Sequence, residues 1–252
     1  MRDKLKSIGF ALAMCLVCGA LLTTAATALQ EIQKKNRVND RRKNLLLTVE
    51  LVSRDKSYTP DEIAGLYQSY ISKVRVGPDG RIISPGTAGP DQQSMPLYLY
   101  TRGADILAYI IPIESQGLWG KIYAYMALES DGQTVAGFTV YQHSETPGLG
   151  GEIDTQWFQE KFEGKKIIDR SGHFVSVRIA KGEVEQRLPE EKQPHYVDGI
   201  SGATLTGKYL SQGLEKTLSR YERVSVSFRK NSLKCKIEEE VPWCSPDETQ
   251  QN

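Results

Sequence analysis

From Ile8 to Leu29 the chain runs for 22 residues without a charged side chain (IGFALAMCLVCGALLTTAATAL). As a helix at about 1.5 Å per residue this stretch spans roughly 33 Å, against roughly 30 Å for the apolar core of a bilayer. Such a run cannot be an ordinary solvent-facing element, so it divides the chain into a short start, an apolar span and a long polar remainder. Two readings compete. Ala26-Thr27-Ala28, after a basic start with Arg2, Lys4 and Lys6, has the form of a signal-peptide cleavage site. The run exceeds the roughly 7–15 residues of a signal core, which favours a retained anchor. Three Lys or Arg precede the span and six follow closely (Lys34, Lys35, Arg37, Arg41, Arg42, Lys43), so a bare charge count leaves the large domain in the cytoplasm. Cys15 and Cys18 share one helical face inside the span. They read as small apolar residues, with a metal or redox role as the alternative.

Outside that span the composition is unremarkable, and it excludes several classes. The 252 residues are 25% charged and 39% hydrophobic, with a mean hydropathy of -0.41, which rules out wholesale disorder and a polytopic membrane protein. Lys and Arg number 32 against 31 Asp and Glu, so no strongly basic face for nucleic acid is expected. Three scattered His argue against a His-rich metal site, and four Cys are too few for a disulfide framework. Cys235 and Cys244 could close a short loop if the domain is exported.

Along the chain, residues 30–50 read as a basic, helix-compatible stalk, and 54–95 as loops around a short helix near 60–74, broken by Gly77-Pro78, Pro85-Gly86 and Gly89-Pro90. Residues 97–101 and 105–113 have strand character. Apolar runs before and after Ser130-Asp131-Gly132 predict a hairpin. A short helix is expected at 156–162 and a strand at 173–180. Leu205, Tyr209, Leu210, Leu214, Leu218 and Tyr221 fall on one helical stripe. The expectation is an α+β fold: one N-terminal transmembrane helix, then an antiparallel or mixed sheet with flanking helices. The boundaries expected are a cytoplasmic start at 1–7, the anchor at 8–29, stalk and membrane-proximal loops at 30–95, the main domain at 96–225 and a loose tail at 226–252.

Two glycine-containing segments can carry chemistry. Glu145-Thr146-Pro147-Gly148-Leu149-Gly150-Gly151-Glu152 follows the hairpin and makes a tight loop whose backbone can approach a flat ligand. It matches neither the dinucleotide fingerprint nor a phosphate loop of the Walker type. Asp198-Gly199-Ile200-Ser201-Gly202-Ala203-Thr204 runs into the last helix. There, free backbone N–H groups favour an anion, unless Ser201 or Thr204 simply caps the helix.

That second segment resembles the flavinylation motif Asp-x-x-Ser/Thr-Gly-Ala-Thr/Ser of the covalent FMN-binding domain family. Within the family, the 145–152 loop and Gly117-Leu118-Trp119 are similar to segments of the flavin-bearing subunits of sodium-translocating NADH:quinone reductases. The resemblance implies FMN joined by a phosphoester to Thr204, with Asp198, Ser201, Gly202 and Ala203 completing the motif. It implies that Glu145, Thr146, Leu149, Gly150, Leu118 and Trp119 lie against the flavin ring and that Lys181 reaches its polar edge. No catalytic side chain and no metal ligand is implied. A separate flavin transferase would use FAD and a divalent cation, leave FMN on the threonine and release AMP. The other partners implied are the remaining subunits of the membrane complex and the lipid bilayer, with no nucleic acid. The transferase works outside the bacterial inner membrane, so the resemblance puts the domain on the periplasmic side, against the charge count. The flavin subunit of Rnf-type ferredoxin:NAD oxidoreductases is the nearest alternative; a membrane-anchored binding or regulatory module without redox turnover is the alternative of another class.

Overall fold

The uncharged run and the basic stretch after it form one helix, α1 (Arg2–Thr48). By length and composition its Lys6–Thr48 part can cross a membrane. Within the apolar run the hydroxyls of Thr23, Thr24 and Thr27 donate to the carbonyls of Gly19, Ala20 and Thr23, each at 2.8 Å. Those polar atoms are therefore satisfied within the helix and need no water. A computed structural model describes residues 2–83, 94–230 and 235–236 of the chain. It divides into two units, Met1–Arg41 and Arg42–Asn252.

The second unit is built on an antiparallel sheet. After α2 (Pro60–Tyr70) come β1 (Ile71–Val76), β2 (Ile82–Ile83), β3 (Met95–Arg102), β4 (Asp105–Gln116), β5 (Lys121–Glu129) and β6 (Val135–Gln142). They stand in the order β6-β5-β4-β3-β1-β2, with β9 (Cys235–Lys236) beyond β2 as a short parallel addition. The hairpin expected around Asp131-Gly132 is β5–β6. Gly132 takes φ 68°, and the Asp131 carboxylate accepts the N–H groups of Gln133 and Thr134, both at 2.9 Å.

Both faces of this sheet are covered. On one, Tyr109, Ile111 and Ile113 of β4 and Ile122, Ala124, Met126 and Leu128 of β5 join Phe158, Phe162, Leu210, Leu214 and Leu218. On the other, Ile110, Tyr125 and Ala127 meet Leu45 and Leu46 from the end of α1 and Ile63 of α2. Residues 42–48 thus pack as part of the domain. The main helix, α5 (Thr204–Arg229), lies along the first face. It sits so close to β4 that a Cβ on Gly213 would collide with the Ser115 side chain, and Ser115 Oγ donates to the Tyr209 carbonyl at 2.7 Å.

Four sequence expectations change. The helix near 60–74 stops at Tyr70, because Ile71–Val76 pairs with β3 from Ile71↔Tyr100 to Val76↔Met95. Residues 42–76, assigned to stalk and loops, therefore belong to the sheet domain; the Gly/Pro segment 85–90 lies outside the described residues. The strand at 173–180 shrinks to β7 (Arg178–Ile179), paired in parallel with β8 (Tyr196–Val197). Buried Ser176 takes φ 63°, and the N–H groups of Val175 and Ser176 both turn to the Ile167 carbonyl, which breaks the extended run. Residues 226–229, expected in the loose tail, continue helix α5 to Arg229. Cys244, and with it the expected pairing to Cys235, lies outside the described residues; Cys15 and Cys18 are free thiols.

Candidate functional site

Helix α5 begins at Thr204, with Ala203 as its N-cap residue and no side chain closing its first turn. Neither Ser201 nor Thr204 caps the helix, so that simpler reading of the two hydroxyls is not what is found. Both are exposed. The turn leading in is shaped by glycine. Gly202 takes φ +74°, and a Cβ there would come within 2.6 Å of Leu149 Cδ2. Gly199 donates its N–H to the Gly182 carbonyl at 2.9 Å and lies against the Ala180 carbonyl with no room for a side chain.

Asp198 braces this turn from below. Its carboxylate accepts Lys161 Nζ at 2.6 Å and the Val184 N–H at 2.8 Å, tying the motif to the ends of α3 (Gln156–Glu160) and α4 (Val184–Arg187). Burial pushes this carboxyl up, but the bonds from Lys161 and Val184, with the charges of Lys161 and Lys165, outweigh burial and hold it below the usual carboxylate value.

The 145–152 loop folds on itself. The Thr146 carbonyl accepts the N–H groups of Leu149 at 3.2 Å and Gly151 at 2.8 Å, and Gly148 donates to Glu152 at 3.1 Å. Glu145 points inward at 5% exposure. One carboxylate oxygen accepts the Trp119 N–H at 3.0 Å and the other the Thr206 hydroxyl at 2.5 Å. The loop around Gly117, the loop around Gly150 and the first turn of α5 therefore meet at one side chain. Leu118, Leu149 and Leu205 remain exposed beside it, and Trp119 is 69% exposed. These segments bring large apolar side chains to the surface of the loops joined to the start of α5.

Thr204 also lines an open cleft of about 900 Å³, together with Leu205, Tyr196, Lys181, Arg187 and Lys208 among others. Arg178 also lines it but is paired with Glu215 at 3.0 Å. Lys181 thus shares a cleft with Thr204. Arg187, Tyr196 and Lys208 were missed. Lys208 was findable, since four residues after Thr204 on a helix means the same face. Arg187 and Tyr196 come from separate segments, and no spacing announces them.

The comparisons bear on this same region. The FMN-binding domain family matches residues 117–219, a span that holds both loops and the first turns of α5. NqrC of Vibrio campbellii, a component of the Na(+)-translocating NADH-quinone reductase, is 33% identical over 230 residues, covering 80% of this chain and 85% of its own. The chain belongs to the NqrC family. The Pseudomonas aeruginosa member is 31% identical, with coverages of 79% and 85%. The NqrC structure from Parabacteroides distasonis has 29% identity and a TM-score of 0.65, covering 79% of this chain and 98% of that one. Shewanella oneidensis NqrC, at 21% identity and a TM-score of 0.62, shares the fold. The α+β architecture read from the sequence is therefore found, and an FMN-binding domain lies within it.

Proposed function

We propose that this chain is the electron-transfer subunit of a sodium-translocating membrane NADH:quinone reductase and carries FMN on a phosphoester to Thr204. One contrast carries the reading. Two hydroxyls stand two residues apart, and Thr204 is exposed at an uncapped helix start while Thr206 is 3% exposed and bonded to Glu145. A transferase can reach only the first. A phosphate on it meets the free N–H groups and positive end of a 26-residue helix, with Lys181, Arg187 and Lys208 at hand. In attachment, the Thr204 hydroxyl loses its proton, Oγ1 bonds to the flavin-side phosphorus of FAD, and the bridging P–O bond breaks to release AMP.

FMN, when bound, supplies the redox chemistry; the chain supplies place and surroundings. Leu118, Trp119, Leu149 and Leu205 offer apolar surface to a flat ring. Asp198, Gly199 and Gly202 hold the turn that presents the hydroxyl. Helix α1 is retained as a single-pass anchor, with the domain on the periplasmic side and the other subunits of the complex as partners. Lacking a dinucleotide motif, the isolated chain oxidises no NADH.

Co-expression with a flavin transferase, followed by a denaturing gel under ultraviolet light, tests the attachment. The wild-type band fluoresces, Thr204→Ala is dark, and Thr206→Ala keeps a weaker band. A dark wild type removes covalent flavin from the reading, and a band lost in Thr206→Ala but kept in Thr204→Ala moves the attachment site.

A further inference from the structure

We infer that Glu145 is a positioning residue: its carboxylate clamps the Gly117–Gly120 loop, its own loop and the first turn of α5 into the one arrangement in which Thr204 and the exposed apolar side chains face a common ligand. The inference rests on the flavin reading for the identity of that ligand, and on hydrogen-bond geometry for the clamp itself.

Sequence resemblance casts Glu145 as a flavin contact. Its surroundings assign it another task. Both oxygens are already engaged, one by the Trp119 N–H and one by the Thr206 hydroxyl, and the side chain is buried. Its backbone N–H donates to His143 Nδ1 at 3.1 Å, and His143 Nε2 stands 3.1 Å from Asp154, so its own loop is braced as well. The socket is cut by glycine on two sides. A Cβ on Gly117 would stand 2.5 Å from one Glu145 oxygen, and a Cβ on Gly150 2.8 Å from the other. A group with so little free surface acts on a ligand through what it holds. It holds Trp119, the most exposed aromatic of the region, and Thr206, one helical step from Leu205 and two from Thr204.

The chemistry of replacement follows. Glutamine has the same reach; its oxygen accepts from Trp119, and its amide donates to Thr206 Oγ1 once that hydroxyl turns its proton away. Aspartate is one methylene short and reaches one partner only. Alanine leaves the part-buried Trp119 backbone N–H without its carboxylate partner and a buried hydroxyl unpaired.

The test uses the full-length chain and two readouts. Hydrogen exchange at the Trp119 amide, measured in a Thr204→Ala background, is independent of flavin. There, Glu145→Ala speeds exchange by about tenfold or more, while Glu145→Gln stays within about threefold, as expected for loss or retention of the one hydrogen bond that this amide makes to residue 145. With Thr204 intact and the transferase present, covalent flavin per chain falls about tenfold in Glu145→Ala and stays within about threefold in Glu145→Gln. Thr206→Val cuts only the helix link: it leaves Trp119 protected and lowers flavin yield. Should Glu145→Ala fail to fold, Glu145→Gln and Thr206→Val still decide. Unchanged exchange and yield in Glu145→Ala overturn the clamp. So does Glu145→Gln that is protected at Trp119 yet as dark as alanine, since that outcome makes the charge or a direct contact the essential element. If the wild type itself stays dark the flavin reading fails, and the exchange arm still judges the clamp.

Discussion

Replacing Gly202 by alanine places a Cβ in the left-handed region and against Leu149. The expected cost is about 1–2 kcal/mol, read as a lowered urea midpoint with an unchanged slope. Asp198 makes a prediction of opposite character. Its folded-state value lies below the ordinary one, so its contribution is fully present above about pH 4 and drains away as pH falls through the folded value. Asp198→Asn should therefore cost about 1 kcal/mol at neutral pH, a gap to wild type that holds down to about pH 4 and narrows below it. Urea titrations at several pH values check this; a gap that widens in acid contradicts it. The motif was legible through its resemblance to the Asp-x-x-Ser/Thr-Gly-Ala-Thr/Ser pattern, since in a local window its two hydroxyls read equally as helix caps. Glu145 was visible as part of a loop, but its role was not. Its partners, Trp119 and Thr206, lie 26 and 61 residues away, and no local pattern encodes such a meeting.

Among the elements, α5 and the β5–β6 hairpin were readable from period and turn chemistry, whereas β1 and the segment 173–180 were not. Ile71–Val76 follows a helix with no breaker between them, so only pairing with β3 decides where α2 ends. His173–Ala180 alternates like a strand, yet Ser176 adopts a positive φ so that two successive N–H groups share one carbonyl. Tertiary hydrogen bonding overrides propensity at both places. Leu214 is fully buried on the α5 face that meets the sheet. Leu214→Ala should cost about 2–5 kcal/mol in urea unfolding, while Leu205→Ala, on the exposed side of the same helix, should cost under about 1 kcal/mol and act on flavin yield instead.

For the molecule as a whole, the first unit and the second carry separable predictions. If α1 is retained, intact mass spectrometry of the membrane-extracted protein returns a mass that includes residues 1–28, and alkaline washing leaves the chain with the membrane. Loss of the mass of residues 1–28 makes the apolar run a cleaved leader. Added protease should digest the domain in intact spheroplasts if it faces the periplasm, the outcome that the six-to-three excess of basic residues after the span speaks against. That conflict arises because charge counting reads only the flanks of the span, whereas the case for export rests on a motif more than 150 residues further on.

The near contact between Gly213 and Ser115 extends the heritable target of this site well beyond its visible residues. Nine residues, or about 14 Å of helix, separate Gly213 from Thr204. A side chain at Gly213 would lever the whole rod off the sheet and carry the hydroxyl with it. If Thr204 carries the flavin, a genetic screen for colonies that lose it should therefore return alleles at Gly213 and Ser115 beside those in the motif, though neither residue belongs to the motif or to the 145–152 loop.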